Sequence, residues 1–210
     1  MVRSRIAFAG AGSFSDGVLP MLSKDKYEFV GYFDDKNITE YRGFPVFGKL
    51  SDVVIALDKG VIDGVFVTIG ENQKRKEIFN LIAEKHYDKI INIISDKANV
   101  YDETAIRGRG VFIGFSSFIG ADSYVEDNSI IQTGSIVEHH TIVHKHCNIT
   151  PGVTINGLCD IGEGAYIGSG STVIQLIRIA PYTILGAGSV VLKPIEHPGT
   201  YVGVPAKKIK

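Results

Sequence analysis

A branched aliphatic residue returns every six positions from Ile113 to Val191, and this rhythm limits the possible folds more than any other feature of the chain. The series runs Ile113, Ile119, Val125, Ile131, Val137, Val143, Ile149, Ile155, Ile161, Ile167, Val173, Ile179, Leu185, Val191 without a break. Four positions after each aliphatic stands a mostly small residue, such as Ser117, Ser129, Cys147, Cys159 or Ser189. Gly often follows the aliphatic directly, as at Gly114, Gly120, Gly162, Gly168 and Gly186. No helix supports a strict period of six, whereas a β-solenoid of hexapeptide repeats does. Each hexad reads as one short flat strand and one turn, and three hexads close a triangular coil. The aliphatic points inward and stacks on its counterpart three hexads later, one strand spacing (~4.8 Å) above it. The small residue faces in at the corner, where nothing bulky fits, and glycine supplies turn conformations that other residues adopt poorly. Val100 and Ile106 keep the spacing one residue out of phase. Gly108-Arg109-Gly110 is expected to absorb the slip, which lets the coil begin near residue 98.

The first part of the chain obeys a different rule. Arg5–Ala9, Phe29–Phe33, Val65–Ile69 and Ile90–Ile94 read as short buried strands. Asp16–Leu22, Ser51–Leu57 and Gln73–Lys85 carry helical spacing, the last with an apolar stripe of Ile78, Leu81 and Ile82. Alternating strand and helix predicts a parallel sheet with helices packed on it. The expected architecture is therefore α/β plus β-solenoid: a small Rossmann-like domain over 1–97 and a parallel β-helix over 98–210.

Composition narrows the function classes. Lys plus Arg number 22 and Asp plus Glu 23, so the net charge is −1. That balance argues against nucleic acid or an anionic membrane surface as the main partner. The two Cys give neither a disulfide framework nor a zinc pattern. Both hold the inward small position, where they read as buried apolar residues, as suits a reducing compartment. No run approaches the length of a membrane span, and the N-terminal residues lack the apolar stretch of a secretory signal. A cytoplasmic location is expected.

Several motifs occur in a telling order. Gly10-Ala11-Gly12-Ser13 follows the first strand, Phe33-Asp34-Asp35 ends the second, and Thr68-Ile69-Gly70-Glu71-Asn72 ends the third. Within the hexads come Glu138-His139-His140 and Thr150-Pro151-Gly152, and the segment Tyr201–Lys207 reads Tyr-Val-Gly-Val-Pro-Ala-Lys. Over essentially the whole chain this set resembles the two-domain sugar acetyltransferases of the sialic acid O-acetyltransferase type. The best-known branch of that family acetylates the 4-amino group of nucleotide-linked 4-amino-4,6-dideoxy sugars. The resemblance implies a left-handed β-helix, a homotrimer, acetyl-CoA in the groove between neighbouring helices, and a nucleotide sugar held by the N-terminal domain. It also implies a setting in bacterial surface polysaccharide or glycan precursor synthesis.

By the same resemblance, Gly12, Ser13, Asp34, Asp35, Gly70 and Asn72 hold the nucleotide and diphosphate. The loop is a broken dinucleotide fingerprint, with Ser15 in place of the third glycine and Gly17 two residues late. Its physics still holds, because glycines let a backbone approach a pyrophosphate and helix N-termini aim N–H groups at it. An NAD-binding dehydrogenase would want a second catalytic domain, and the solenoid stands in its place. A purely structural alternative makes Asp34 and Asp35 a solvated strand end. Relatives often carry His where Phe14 stands, which implies a different grip on the ligand.

Acetyl transfer to an amine needs a general base, and imidazole titrates near working pH. His139 matches the family's base. It lies two positions after the inward Val137, on the turn side, facing out. The family's usual acidic neighbour immediately after the base is here His140. Glu138 supplies the orientation instead, or the acid comes from elsewhere, or the base is weaker. Asn148 stands where many relatives have His, and with Ser169 and Ala187 it is carried over as a contact for acetyl-CoA. The alternative for these small residues is that they only serve solenoid turns.

Rival readings are a sugar O-acetyltransferase, a zinc lyase of the carbonic anhydrase type, and a non-catalytic trimeric scaffold. The zinc reading draws on His139, His140, His144 and His146. It needs imidazoles converging within about 2.0–2.1 Å of one ion, and His140 and His146 hold the same place in consecutive hexads, so they point from different faces. Only an intersubunit site would satisfy it, so no metal site is assigned.

Overall fold

The computed structural model describes residues 2–102 and 105–210 and divides into two units, Met1–Ile93 and Ile94–Lys210. In the first unit, Ser4–Ala9 is the central strand of a parallel sheet, with Tyr27–Phe33 on one side and Gly64–Val67 on the other. Helices α1 (Ser13–Val18), α2 (Asp52–Asp58) and α3 (Asn72–His86) complete it. Ala9, Phe33, Val53, Val65 and Ile82 form part of one buried cluster.

Two local expectations need correcting. Helix α3 buries Arg75, Ile78, Phe79 and Ile82, a stripe at i, i+3, i+4 and i+7, while Leu81 is 40% exposed. Phe79 takes the inward place given to Leu81. The strand expected over Ile90–Ile94 is also interrupted. Ile90 makes a single bridge to Val65, and a separate two-residue strand covers Ile93–Ile94. By Ser95, whose N–H donates to the Ile113 carbonyl, the chain is already on the solenoid ladder.

The second unit is a β-solenoid of about six turns with three parallel faces. Its strands are mostly two residues long and end on the inward aliphatic, as in Ile130–Ile131, Ile136–Val137 and Ile142–Val143. The register advances by one full coil, with Ile131 on Ile149, Val137 on Ile155 and Val143 on Ile161. All fourteen aliphatics are buried in one column. The small residues do more than fit the corner. Ser117, Ser123, Ser129, Ser135, Thr141 and Ser171 donate their hydroxyls to the carbonyl 15 residues ahead. Cys147 and Cys159 use the same seat, with Sγ 3.2 Å from the Gly162 carbonyl and 3.1 Å from that of Ile174. Burial pushes the Cys159 thiol above its ordinary range.

The phase slip is visible in the pairing. Val100 pairs with Ile119 and Ile106 with Val125, one position more than the coil-to-coil step that pairs Ile113 with Ile131. Gly108 lies inside the step, where an added Cβ would stand 2.2 Å from the Asp127 amide nitrogen. At the far end, Thr200–Val202 joins the ladder and turns back antiparallel on Lys207–Lys208.

Candidate functional site

Three strand ends bring the candidate ligand loops together in the N-terminal unit. The Gly10 N–H donates to the Phe33 carbonyl at 2.8 Å, and the Thr68 hydroxyl donates to the Gly10 carbonyl at 2.6 Å. Gly10 has φ +123°, and a Cβ there would come 2.9 Å from the Thr68 oxygen, so glycine is required. Asp34 clamps the same loop. Its Oδ2 accepts from the Ala11 N–H at 2.7 Å and its Oδ1 from the Lys36 N–H at 2.9 Å. Lys36 closes the ring by donating Nζ to the Ala11 carbonyl at 2.7 Å. With its side chain 13% exposed, Asp34 is not a solvated strand end.

Asp35 points elsewhere. Its Oδ1 accepts from the Leu50 N–H at 3.1 Å, and its Oδ2 lies 3.7 Å from Lys74 Nζ. Asp34 and Asp35 both line a pocket of about 500 Å³ with Lys36, Ile38, Gly48 and Lys49. Gly12 and Gly70 face open space where a side chain would be, so their backbone is approachable, and Ser13 opens helix α1. Asn72 starts helix α3, and its Oδ1 accepts from Arg75 Nη1 at 3.0 Å. Ligands of open parallel sheets bind at the carboxyl ends of the strands, where these loops lie.

Arg75 and Lys36 were not among the residues singled out from the sequence. Arg75 is buried and also reaches the carbonyls of Ile69 and Gly70, each at 3.4 Å. A charge on a helix reads as solvated surface, and its three-residue spacing from Asn72 was the available signal.

On the solenoid, His139 stands exposed at the corner after Ile136–Val137. Its ring lies against Gly157, one coil further on, where a Cβ would stand 2.6 Å from Cε1 and 2.7 Å from Nε2. Only glycine leaves that seat open. Glu138 accepts from the His139 backbone N–H at 3.3 Å. The ring itself meets His140, with 3.1 Å between the two Nδ1 atoms. His140 Nε2 in turn lies 3.5 Å from Asp122 Oδ2. Among the described residues, His139 Nε2 has no hydrogen-bond partner.

The other two histidines lie elsewhere. His144 sits on a face between Glu126 (3.3 Å from Nδ1) and Asp160 (3.1 Å from Nε2). His146 is buried, with Nδ1 2.8 Å from Asn128. Among the described residues, no three His, Cys, Asp or Glu side chains stand where they could share a metal ion.

The candidate cofactor positions occupy a different edge of the prism. Ser169 and Ala187 are exposed, stacked one coil apart at the corner that follows the face of Tyr166–Ile167 and Ile184–Leu185. An added Cβ on Gly168 would stand 2.6 Å from the Ala187 amide nitrogen, which shows how tightly this edge is stacked. Asn148 is buried on that face, its Oδ1 accepting from Gln132 Nε2 at 2.9 Å. Within one chain, the structure groups Ser169 with Ala187 and sets both apart from His139.

Among the described residues, no helix is long and apolar enough to cross a membrane. Residues 5–82 match the PglD N-terminal domain family. The acetyltransferase domain of PglB from Neisseria gonorrhoeae is 27% identical with a TM-score of 0.88, over 99% of this chain and 100% of that one, and is also known in complex with acetyl coenzyme A. PerB from Caulobacter crescentus, in complex with CoA and GDP-perosamine, is 28% identical with a TM-score of 0.88, over 100% of this chain and 99% of that one. WeeI from Acinetobacter baumannii, at 24% identity and a TM-score of 0.77 over 97% and 99% of the two chains, shares the fold. These likenesses make the solenoid a left-handed β-helix and the protein an acetyltransferase. On the domain match and the two full-length likenesses, the chain resembles the hexapeptide-repeat nucleotide amino-sugar N-acetyltransferases.

Proposed function

We propose that the protein transfers the acetyl group of acetyl-CoA to the amino group, at C4, of a nucleotide-linked amino-dideoxy sugar, with His139 as general base. The observation that carries the reading is the His139 ring. It is exposed, seated on Gly157, bonded through Nδ1 and open at Nε2. The chemistry of the complexes known for PglB and PerB supports acetyl-CoA and a nucleotide amino sugar as the two substrates.

The amine nitrogen attacks the thioester carbonyl, and its proton passes to His139 Nε2 as the N–C bond forms. Backbone N–H donors along the groove hold the oxyanion. Collapse expels the CoA thiolate, which takes the proton back from the imidazolium. Gly12, Ser13, Asp34, Asp35, Gly70 and Asn72 hold the nucleotide end. The Asp34 carboxylate does so by keeping the Gly10–Gly12 loop in shape, while the bare backbone at Gly12 and Gly70 meets the diphosphate.

Ser169 and Ala187 line the pantetheine arm, and Asn148 stiffens the neighbouring face. Since these positions and His139 occupy different edges of one prism, a site that uses both must join two copies. That geometry supports a homotrimer in which each cleft takes its base from one protomer and part of its cofactor wall from the next. A place in surface polysaccharide or glycan precursor synthesis in the cytoplasm fits these substrates.

The test is thiol release from acetyl-CoA with a panel of nucleotide amino sugars, and mass analysis to separate N- from O-acetyl products. His139→Ala should lower kcat about 10²- to 10⁴-fold with the fold intact. Full activity in that variant would remove the assigned base.

A further inference from the structure

We infer that His140 and Asp122 act as positioning residues behind His139, supplying across one coil the acid that the base lacks from its chain neighbour. This rests on the assignment of His139 as base. Asp122 and His140 lie one coil apart and stack at one corner, both in the left-handed region with φ 56° and 58°. The next two residues in that stack are Leu158 and Leu176, at φ 61° and 64°, so among the described residues of the stack Asp122 alone offers a carboxylate.

The contacts fix one proton arrangement. Two Nδ1 atoms 3.1 Å apart can share only one proton. A carboxylate accepts, so His140 carries its proton on Nε2, facing Asp122 Oδ2 at 3.5 Å. Neutral His140 then has its lone pair on Nδ1 and accepts from His139 Nδ1–H. His139 is left with its lone pair on Nε2, the atom open to substrate. When Nε2 takes the amine proton, the positive charge is shared toward His140 through the Nδ1–Nδ1 hydrogen bond and toward Asp122 through the ion-pair contact. Glu138, the other charged group beside His139, bonds the backbone N–H rather than the ring. The His140 and Asp122 side chains are 53% and 67% exposed, so their attraction adds little to stability. The consequence lies in the tautomer of His139, and an unfavourable tautomer is costly to a histidine base.

The experiment uses variants that tolerate the left-handed corner, since Asn and Asp adopt it readily. Asp122→Asn and His140→Asn should each lower kcat about 10- to 100-fold, with KM and melting temperature close to those of the unaltered protein. The double variant should be no slower than the worse single one, because the two residues act as one unit. His140→Asp places a carboxylate directly after the base; it should keep near-normal kcat and make Asp122→Asn silent. Imidazole ¹⁵N shifts on the resting protein, which need no substrate, should show His139 protonated on Nδ1 and a shift toward the Nε2–H form in Asp122→Asn. An unchanged tautomer and kcat in Asp122→Asn, or effects that multiply in the double variant, would overturn the relay. A normal tautomer response with no acetyl transfer to any nucleotide amino sugar would instead sink the proposed reaction and leave the relay standing.

Discussion

The N-terminal unit and the solenoid build their candidate sites by different arithmetic. In the first, Gly12, Asp34 and Gly70 come from three strand ends far apart in sequence, and bonds from Asp34 to Ala11 and from Thr68 to Gly10 draw them together. In the second, Asp122, His140, His139 and Gly157 are neighbours because each lies one coil, or one chain position, from the next. A loop cradle depends on individual side-chain bonds, so it can change shape locally. A corner of a stacked coil inherits its geometry from the whole column beneath it, where stability accumulates between neighbouring repeats.

If that contrast holds, damage to the column should spread and damage to the cradle should not. Ile149→Ala empties a fully buried place in the column and should cost about 2–5 kcal/mol, read as a fall in melting temperature of the solenoid. Asp34→Ala strands the Ala11 N–H and frees Lys36, and should cost the N-terminal unit about 1–3 kcal/mol. Its kinetic mark is a raised KM for the nucleotide sugar with kcat preserved. A lowered kcat at unchanged KM would show that the cradle does not act by holding substrate.

Gly157→Ala sharpens the comparison further. The new Cβ would meet the movable His139 ring rather than backbone, so the fold should keep its melting temperature. The displaced ring should lower kcat about tenfold, since small misplacements of a reacting group are costly. The smallest effect concerns acid. Carboxylates held below their usual range by a cationic partner include Asp16 beside Arg42, Asp58 beside Lys85, and Asp63 beside Arg5, all in the first unit. A depressed carboxylate contributes stability that is present above its unfolded value, about 3.9, and is lost as pH falls through the folded value. Hydrogen exchange below about pH 4 should therefore rise first in residues 2–93; an earlier rise in the solenoid would contradict the ion-pair account.

Legibility in the sequence followed the same division. The hexads exposed the inward column, the seats of Cys147 and Cys159, the slip near Gly108 and the outward corner of His139, because a fixed period converts residue number directly into position. Asp34 could be picked out as a loop-end acid, but its Ala11 clamp depends on how two strands pair. Arg75 went unseen because a buried guanidinium needs the Ile69 and Gly70 carbonyls, and those reach it only after the third strand has turned into helix α3. Leu81 was misplaced because helical spacing alone allows two neighbouring stripes, and packing selects the one through Phe79.

What the chain order alone determined is the repeating coil, since a six-residue rhythm of branched aliphatics has one economical way to bury itself. Which side chains serve one another across coils was left to the folded molecule. Glu138, adjacent in sequence, bonds only the backbone of His139, while Asp122, a full coil away, reaches the ring through His140. Stacking brings residues one coil apart within bonding distance, and the left-handed corner decides which way their side chains turn.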